Sequence, residues 1–180
     1  MVIVLLSLGR LAISVPNLEP IGAAALFGGA MLGSWSLRLL IPFLALFLGD
    51  LVLAQFIPGY STHLFSANFL MVYVAFGLTV VIGKRYIGKN TRLSNVIGAA
   101  LLSSLAFFLI TNFGSWLTYT TYPKTLLGLI ECYGAGLAFY KHDVFGSFFL
   151  NTVMGNVLFS TLAFSLYGYY QKAVRPVVSA

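Results

Sequence analysis

Apolar residues run along this chain in long blocks, broken by short clusters of proline, glycine and charge. The blocks are Val2–Val15, Ile21–Trp35, Leu39–Ile57, Ala67–Gly83, Asn95–Trp116, Leu126–Tyr140 and Val144–Tyr170. Between them stand Pro16 and Pro20, Ser36, Pro58-Gly59, the run Lys84–Arg92, Pro123, and Lys141-His142-Asp143, residues that end helices or mark turns. Apolar runs approaching ~20 residues read as membrane-crossing helices. The pattern predicts an all-α integral membrane protein, a six-transmembrane-helix bundle forming a single domain over 1–180. Val2–Val15 has neither a basic leader nor a small-residue cleavage site, so it reads as a first helix and not a signal peptide.

Composition agrees. The chain is 59% hydrophobic, 16% aromatic and 8% charged, where soluble domains carry roughly a quarter charged residues. So little charge leaves too little polar surface to face water. The single cysteine, Cys132, permits no internal disulfide. A net charge of +6 would suggest nucleic acid in a soluble protein. Here the basic residues sit in short loops between apolar runs, which is how a membrane protein is oriented, and no nucleic-acid partner is expected.

Basic residues also set the topology. Lys84, Arg85, Lys89 and Arg92 form the densest basic loop, which is therefore assigned to the cytoplasm. Counting outward, Arg38 also falls inside, while Pro58–Ser66, without Lys or Arg, falls outside. If Leu126–Tyr140 crosses, there are seven spans. If it stays at the outer face as a re-entrant or lid helix, there are six and both termini are cytoplasmic. The second arrangement puts Arg38, Lys84, Arg85, Lys89, Arg92, Lys172 and Arg175 inside against Lys124 and Lys141 outside, the better asymmetry. The expected location is the cell inner membrane.

Ionisable residues within spans are costly and face the bundle interior. Arg10 and Asp50 are two such residues, each about 8–10 Å below the outer end of its helix at ~1.5 Å per residue. Asn112, Asn151, Asn68 and Tyr73 fall at a similar level. Below them, Val74–Ile82, Ala99–Ile110 and Val157–Leu166 are dominated by aliphatic, aromatic and small residues. Polar groups above an apolar plug describe a cavity open to the outside. The competing account is that Arg10 and Asp50 lock two helices together and the asparagines hydrogen-bond neighbouring spans.

The outer stretch Thr118–Asp143 adds Glu131, Cys132 and Tyr133 on the expected lid. Glu131 would reach the cavity or else face water, and Cys132 reads as a small buried hydrophobe. Trp116 and the tyrosines suit an interfacial belt or would stack on a solute ring. The loop Pro16–Pro20, stiffened by two prolines, would cap the cavity through Asn17 or Glu19. Ala25, Gly29 and Gly33, four apart, form a small-residue face that lets another helix approach, within the chain or from another subunit. No His pair, G-x-S-x-G, phosphate loop or second intramembrane Asp is present, so neither catalysis, a metal nor a cofactor is expected.

Several of these residues recur as a set: Pro16-Asn17 with Pro20-Ile21-Gly22-Ala23, Ala25-Leu26-Phe27-x-Gly29, Asp50, Thr111-Asn112-Phe113-Gly114 with Trp116, and Tyr122-Pro123-x-Thr125-x-x-Gly128-Leu129 with Cys132-Tyr133. The set resembles a bacterial family of membrane proteins assigned to transport without a known solute. That family is similar in layout to the S-components of energy-coupling factor vitamin transporters, especially the solitary cobalamin type. The resemblance implies six helices, cytoplasmic termini and a solute pocket near the outer face. It also implies docking to a membrane coupling subunit through an Ala-xxx-Ala face on the first helix, which Val2–Val15 lacks. The cysteine that would hold cobalamin is missing from Leu39–Ile57, and Gly146-Ser147 stands where an acidic residue is usual.

Two functions therefore stand. The first is a small-solute-binding transport protein whose pocket uses Arg10, Asn17, Asp50, Asn112, Trp116, Glu131, Tyr133 and Asn151. The second is an accessory structural subunit of a larger membrane complex, docked through Ala25, Gly29 and Gly33.

Overall fold

The computed structural model describes residues 15, 17–62, 64–88, 90–138 and 146–178. The expected first span up to Ser14, with Arg10, lies outside the described residues, as do Pro16, His63, Lys89 and 139–145.

The described residues form helices throughout. In chain order they are α1 (Ile21–Met31), α2 (Trp35–Phe56), a 3-10 turn (Tyr60–Thr62), α3 (Ala67–Ile82) running on into a π turn (Gly83–Ile87), α4 (Leu93–Thr118), α5 (Leu126–Leu137) and α6 (Phe148–Val178). Among the described residues, four segments are long and apolar enough to cross a membrane: Trp35–Phe56, Ala67–Ile87, Leu93–Thr118 and Phe148–Ala173.

Helix starts follow local chemistry. Ser34 Oγ accepts from Leu37 N at 3.3 Å, Ser66 Oγ from Phe69 N at 3.1 Å, and Thr125 Oγ1 from Gly128 N at 3.2 Å. Each satisfies one amide that the helix itself leaves open. Ser66→Ala should cost about 1 kcal/mol, read as a lowered melting temperature of the purified chain, and leave the helix content by circular dichroism unchanged.

Ser34 also explains a difference from the sequence reading. The block Ile21–Trp35 looks like one span, but its helix stops at Met31, and the cap at Ser34 starts the next helix. The 11 residues of α1 reach only about 16 Å, half of a ~30 Å hydrocarbon core.

Contacts along the helices fix their relative levels. Ser115 of α4 meets Asn68 of α3 at one end, the tilted Phe76 and Phe107 rings lie 5.3 Å apart midway, and Ile82 and Ile87 share a cluster with Val96 at the other end. α3 and α4 are thus antiparallel neighbours. α6 returns beside α4, its Phe149 ring 4.9 Å from Phe108 and its Asn156 Nδ2 donating to Ser104 Oγ at 2.9 Å. Phe164 then joins the cluster of Leu26, Ile82, Ile87, Val96, Ala99 and Ala100.

At that same end the Trp35 ring carries Lys84 Nζ 4.0 Å and Arg38 Cζ 5.2 Å from its centroid, and Arg92 precedes α4. This is the basic end of the bundle. α1 spans from there to mid-depth, where Ile21 and Ala25 pack with Leu46, Phe76 and Val80. Within the small-residue face, Ala25 and Gly29 are buried inside the chain, and a Cβ on Gly29 would overlap the Val80 carbonyl. Gly33 lies past the helix end with open space around it.

Candidate functional site

Because α1 begins at mid-depth, residues 17–20 leading into it lie beside the middle of the bundle. Leu18 and Glu19 sit against Gly155, two turns into α6, and Asn17 Nδ2 donates to the Phe148 carbonyl at 3.5 Å. Asn17 holds φ +62°, a left-handed value that asparagine tolerates better than most residues. Asn17 and Glu19, from the loop expected to cap the outer surface, therefore lie on a floor at mid-depth.

α5 closes one side. It descends antiparallel to α4: Cys132 Sγ donates to the Asn112 carbonyl at 3.4 Å, Tyr133 Oη to the Leu109 carbonyl at 2.8 Å, and Gly136 faces Phe108 and Asn112. Gly128, Cys132 and Gly136, each four apart, are the buried positions of this helix; Gly128 packs on the Pro123 backbone, and the small Cys132 and Gly136 let the helix lie close on α4. Leu126, Leu127, Ile130 and Leu137 point away and are exposed. Burial pushes the Cys132 thiol above its usual range, with the charge of Lys124 acting in the opposite direction. Such a thiol stays protonated near neutrality and is a poor nucleophile.

Between these walls lies a cavity of about 530 Å³, extending from the end opposite the basic residues down to mid-depth. Its floor is Asn17, Glu19, Phe107 and Phe148; α4 contributes Thr111, Asn112 and Ser115; α3 contributes Asn68 and Val72. Tyr60, Tyr119, Thr121 and Tyr122 ring its upper part, with Cys132, Ala135 and Gly136 on the α5 side. Beneath it a pocket of about 20 Å³, lined by Thr79, Thr152 and Asn156 among others, has room for a single water.

The wall is rich in hydrogen-bonding groups, several already oriented. Asn112 Nδ2 donates to the Phe108 carbonyl at 2.9 Å, Thr111 Oγ1 to the Phe107 carbonyl at 2.8 Å, and Ser115 Oγ to Asn68 Oδ1 at 3.3 Å. Asp50, 3% exposed, stands behind Tyr60 and accepts its hydroxyl at 2.7 Å through Oδ1.

Set against the sequence expectations, Asn17 and Asn112 lie on the wall and Asp50 directly supports it. Asn151 is fully buried in α6, and Glu131 is exposed on α5. Trp116 donates from Nε1 to the Pro123 carbonyl at 2.9 Å, while Lys124 Nζ reaches the carbonyls of Trp116 and Tyr119; together they pin the α4–α5 connection. Tyr133 binds backbone, as above. Arg10 lies outside the described residues. The wall residues Tyr60, Ser115, Tyr119 and Thr121 were not singled out, and Thr111 and Tyr122 entered only through the family resemblance. Phe107, Thr111 and Ser115 do repeat at four, one helix face, and that spacing is the signal that would have found them.

A family model described as a family of unknown function, DUF6580, matches residues 1–178. The chain belongs to this DUF6580 family. No curated protein and no solved structure matches it. Membership in DUF6580 brings no activity with it, so the reading of function rests on the cavity.

Proposed function

We propose that this DUF6580 protein binds a small polar solute in the cavity as the capture subunit of a membrane transport system. The observation that carries the reading is the cavity itself. An open cavity of about 530 Å³, at the end away from the basic residues, receives amide and hydroxyl groups from separate parts of the chain alongside apolar ones. The excess of Lys and Arg on loops marks the cytoplasmic side, so the cavity takes its solute from outside. In this topology α1 lies in the cytoplasmic half, α2 to α4 cross, and α5 with α6 returns to the cytoplasm. Both termini are then cytoplasmic, in the inner membrane, with six membrane segments and α5 as an outer half-helix.

The cavity walls favour binding over chemistry. Amide and hydroxyl groups with aromatic neighbours, and Glu19 on the floor, hold an orientable polar molecule, as small-molecule sites do. The layout is S-component-like: an outward pocket over a packed lower half. That lower half is held by the cluster around Leu26, Val96 and Phe164, though it is not wholly apolar. Buried Thr79, Ser103, Ser104, Thr152 and Asn156 form a polar seam through it, with Ser104 and Thr79 returning their hydroxyls to carbonyls one turn back. Release inward then requires rearrangement of the helices or a partner subunit.

Native mass spectrometry of the purified full chain tests the proposal. A small-molecule adduct is expected on the wild type. Asn112→Leu, of similar size, should lower its occupancy about tenfold, one well-made hydrogen bond being worth roughly 1 kcal/mol or more, with the melting temperature nearly unchanged. An adduct that survives this change, or the lack of any solute-dependent melting across a panel of polar metabolites, would reject it.

A further inference from the structure

We infer that the basic end carries a binding site for one anionic phospholipid, its phosphate held at Lys84, Arg85 and Arg38 and one acyl chain lying in the groove between α2 and α3. Two independent features meet there. The first is charge. Lys84 and Arg38 approach the same Trp35 ring, at 4.0 and 5.2 Å, so two like charges share one aromatic surface, and exposed Arg85 follows Lys84 in the chain. The chain has only four acidic residues. Of those among the described residues, Glu19 and Asp50 belong to the cavity and Glu131 to α5. Among the described residues no carboxylate stands at this cluster, and a phosphate from outside relieves the repulsion.

The second feature is a groove of about 480 Å³ that begins at Ser36, beside Trp35, and continues along Leu39, Leu40, Phe43 and Leu44 to Tyr73. Apart from its ends it is hydrocarbon. Trp35 is 47% exposed, the amphipathic ring expected at the headgroup level. The groove therefore runs from that level toward the membrane centre, where an acyl chain belongs. A free phosphate would use the charges and ignore the groove; a partner helix would fill the groove and ignore the charges. A phospholipid with a net negative headgroup uses both.

The test is lipid retention by the full chain. Protein reconstituted with equal long-chain phosphatidylglycerol and phosphatidylcholine is stripped in detergent, and the lipids that remain bound are counted by native mass spectrometry. The wild type is expected to keep one phosphatidylglycerol in preference to phosphatidylcholine. Each basic side chain near an anionic surface is worth about fivefold in affinity, so Lys84→Gln/Arg85→Gln should reduce that preference roughly thirtyfold. Both residues are exposed, so the melting temperature without lipid should not move. Short-chain phosphatidylglycerol and inorganic phosphate should displace the long-chain lipid poorly. Equal retention of the two lipids, no effect of the double substitution, or displacement by inorganic phosphate would each overturn the inference.

Discussion

Gly29→Ala and Gly83→Ala are each expected to cost about 3 kcal/mol, at the upper end of what overpacking a well-packed interior does. The two glycines are reciprocal. A Cβ on Gly29 of α1 would overlap the Val80 carbonyl of α3, and a Cβ on Gly83, at the start of the π turn, would overlap the Leu26 carbonyl of α1. In both cases the obstacle is backbone, which cannot rotate out of the way as a side chain would. The half-helix α1 must then separate from α3, and Ile21, Ala25 and Leu26 lose the contacts that bury them. Close approach of this kind holds membrane helices together through dispersion, since lipid offers no hydrophobic gain. Gly98→Ala is the control. It lies within α4 with nothing within 4 Å of its added methyl, so it should be neutral or stabilising by up to about 1 kcal/mol. Thermal melting in detergent reads all three. Melting of Gly29→Ala at the Gly98→Ala temperature would mean that α1 does not pack on α3 in this way.

The long spans were legible because their signal is local. Ala67–Gly83 and Asn95–Trp116 are apolar runs bounded by charge or turn residues, and the helices Ala67–Ile82 and Leu93–Thr118 differ from them by a few residues. α1 was not, for a physical reason. Hydropathy reports that residues 21–35 prefer lipid, but not how deep they start, and a half-helix leading into a capped turn is as apolar as a crossing. The cavity divides in the same way. An asparagine or aspartate in a span is conspicuous, so Asn112 and Asp50 drew attention. A serine or threonine is not, because it can bond the carbonyl one turn back, as Thr79 does to Ala75 and Ser104 to Ala100, and sit equally well on a lining, packed or lipid-facing position. Thr111 makes that same bond to Phe107 while lining the cavity, and only the depth of its helix face distinguishes it. Tyr60 belongs to a short 3-10 turn after α2, where nothing in the sequence announces that the turn folds back over Asp50.

That fold-back leads to the second large effect. Tyr60→Phe should weaken solute binding roughly tenfold or more, while changing the melting temperature little. The phenol lies on the cavity wall and donates to the Asp50 carboxylate at 2.7 Å. A hydroxyl whose proton is held by an ion becomes a better acceptor, so it offers its lone pairs to a solute O–H or N–H, and hydrogen bonds involving charged groups are worth about 1.5–3 kcal/mol. Asp50→Asn keeps the shape and an acceptor oxygen but removes the charge that polarises the phenol. Its effect on binding should therefore pass through Tyr60, and Asp50→Asn/Tyr60→Phe should bind no more weakly than the worse single variant. Affinities for the co-purifying solute, measured by titration in a double-mutant cycle, give the coupling directly. If Asp50 served only to tie helices together, Asp50→Asn would lower the melting temperature and leave the affinity of the folded fraction intact. Additive losses in binding would show that the two residues contact the solute independently, and the relay through Tyr60 would have to be abandoned.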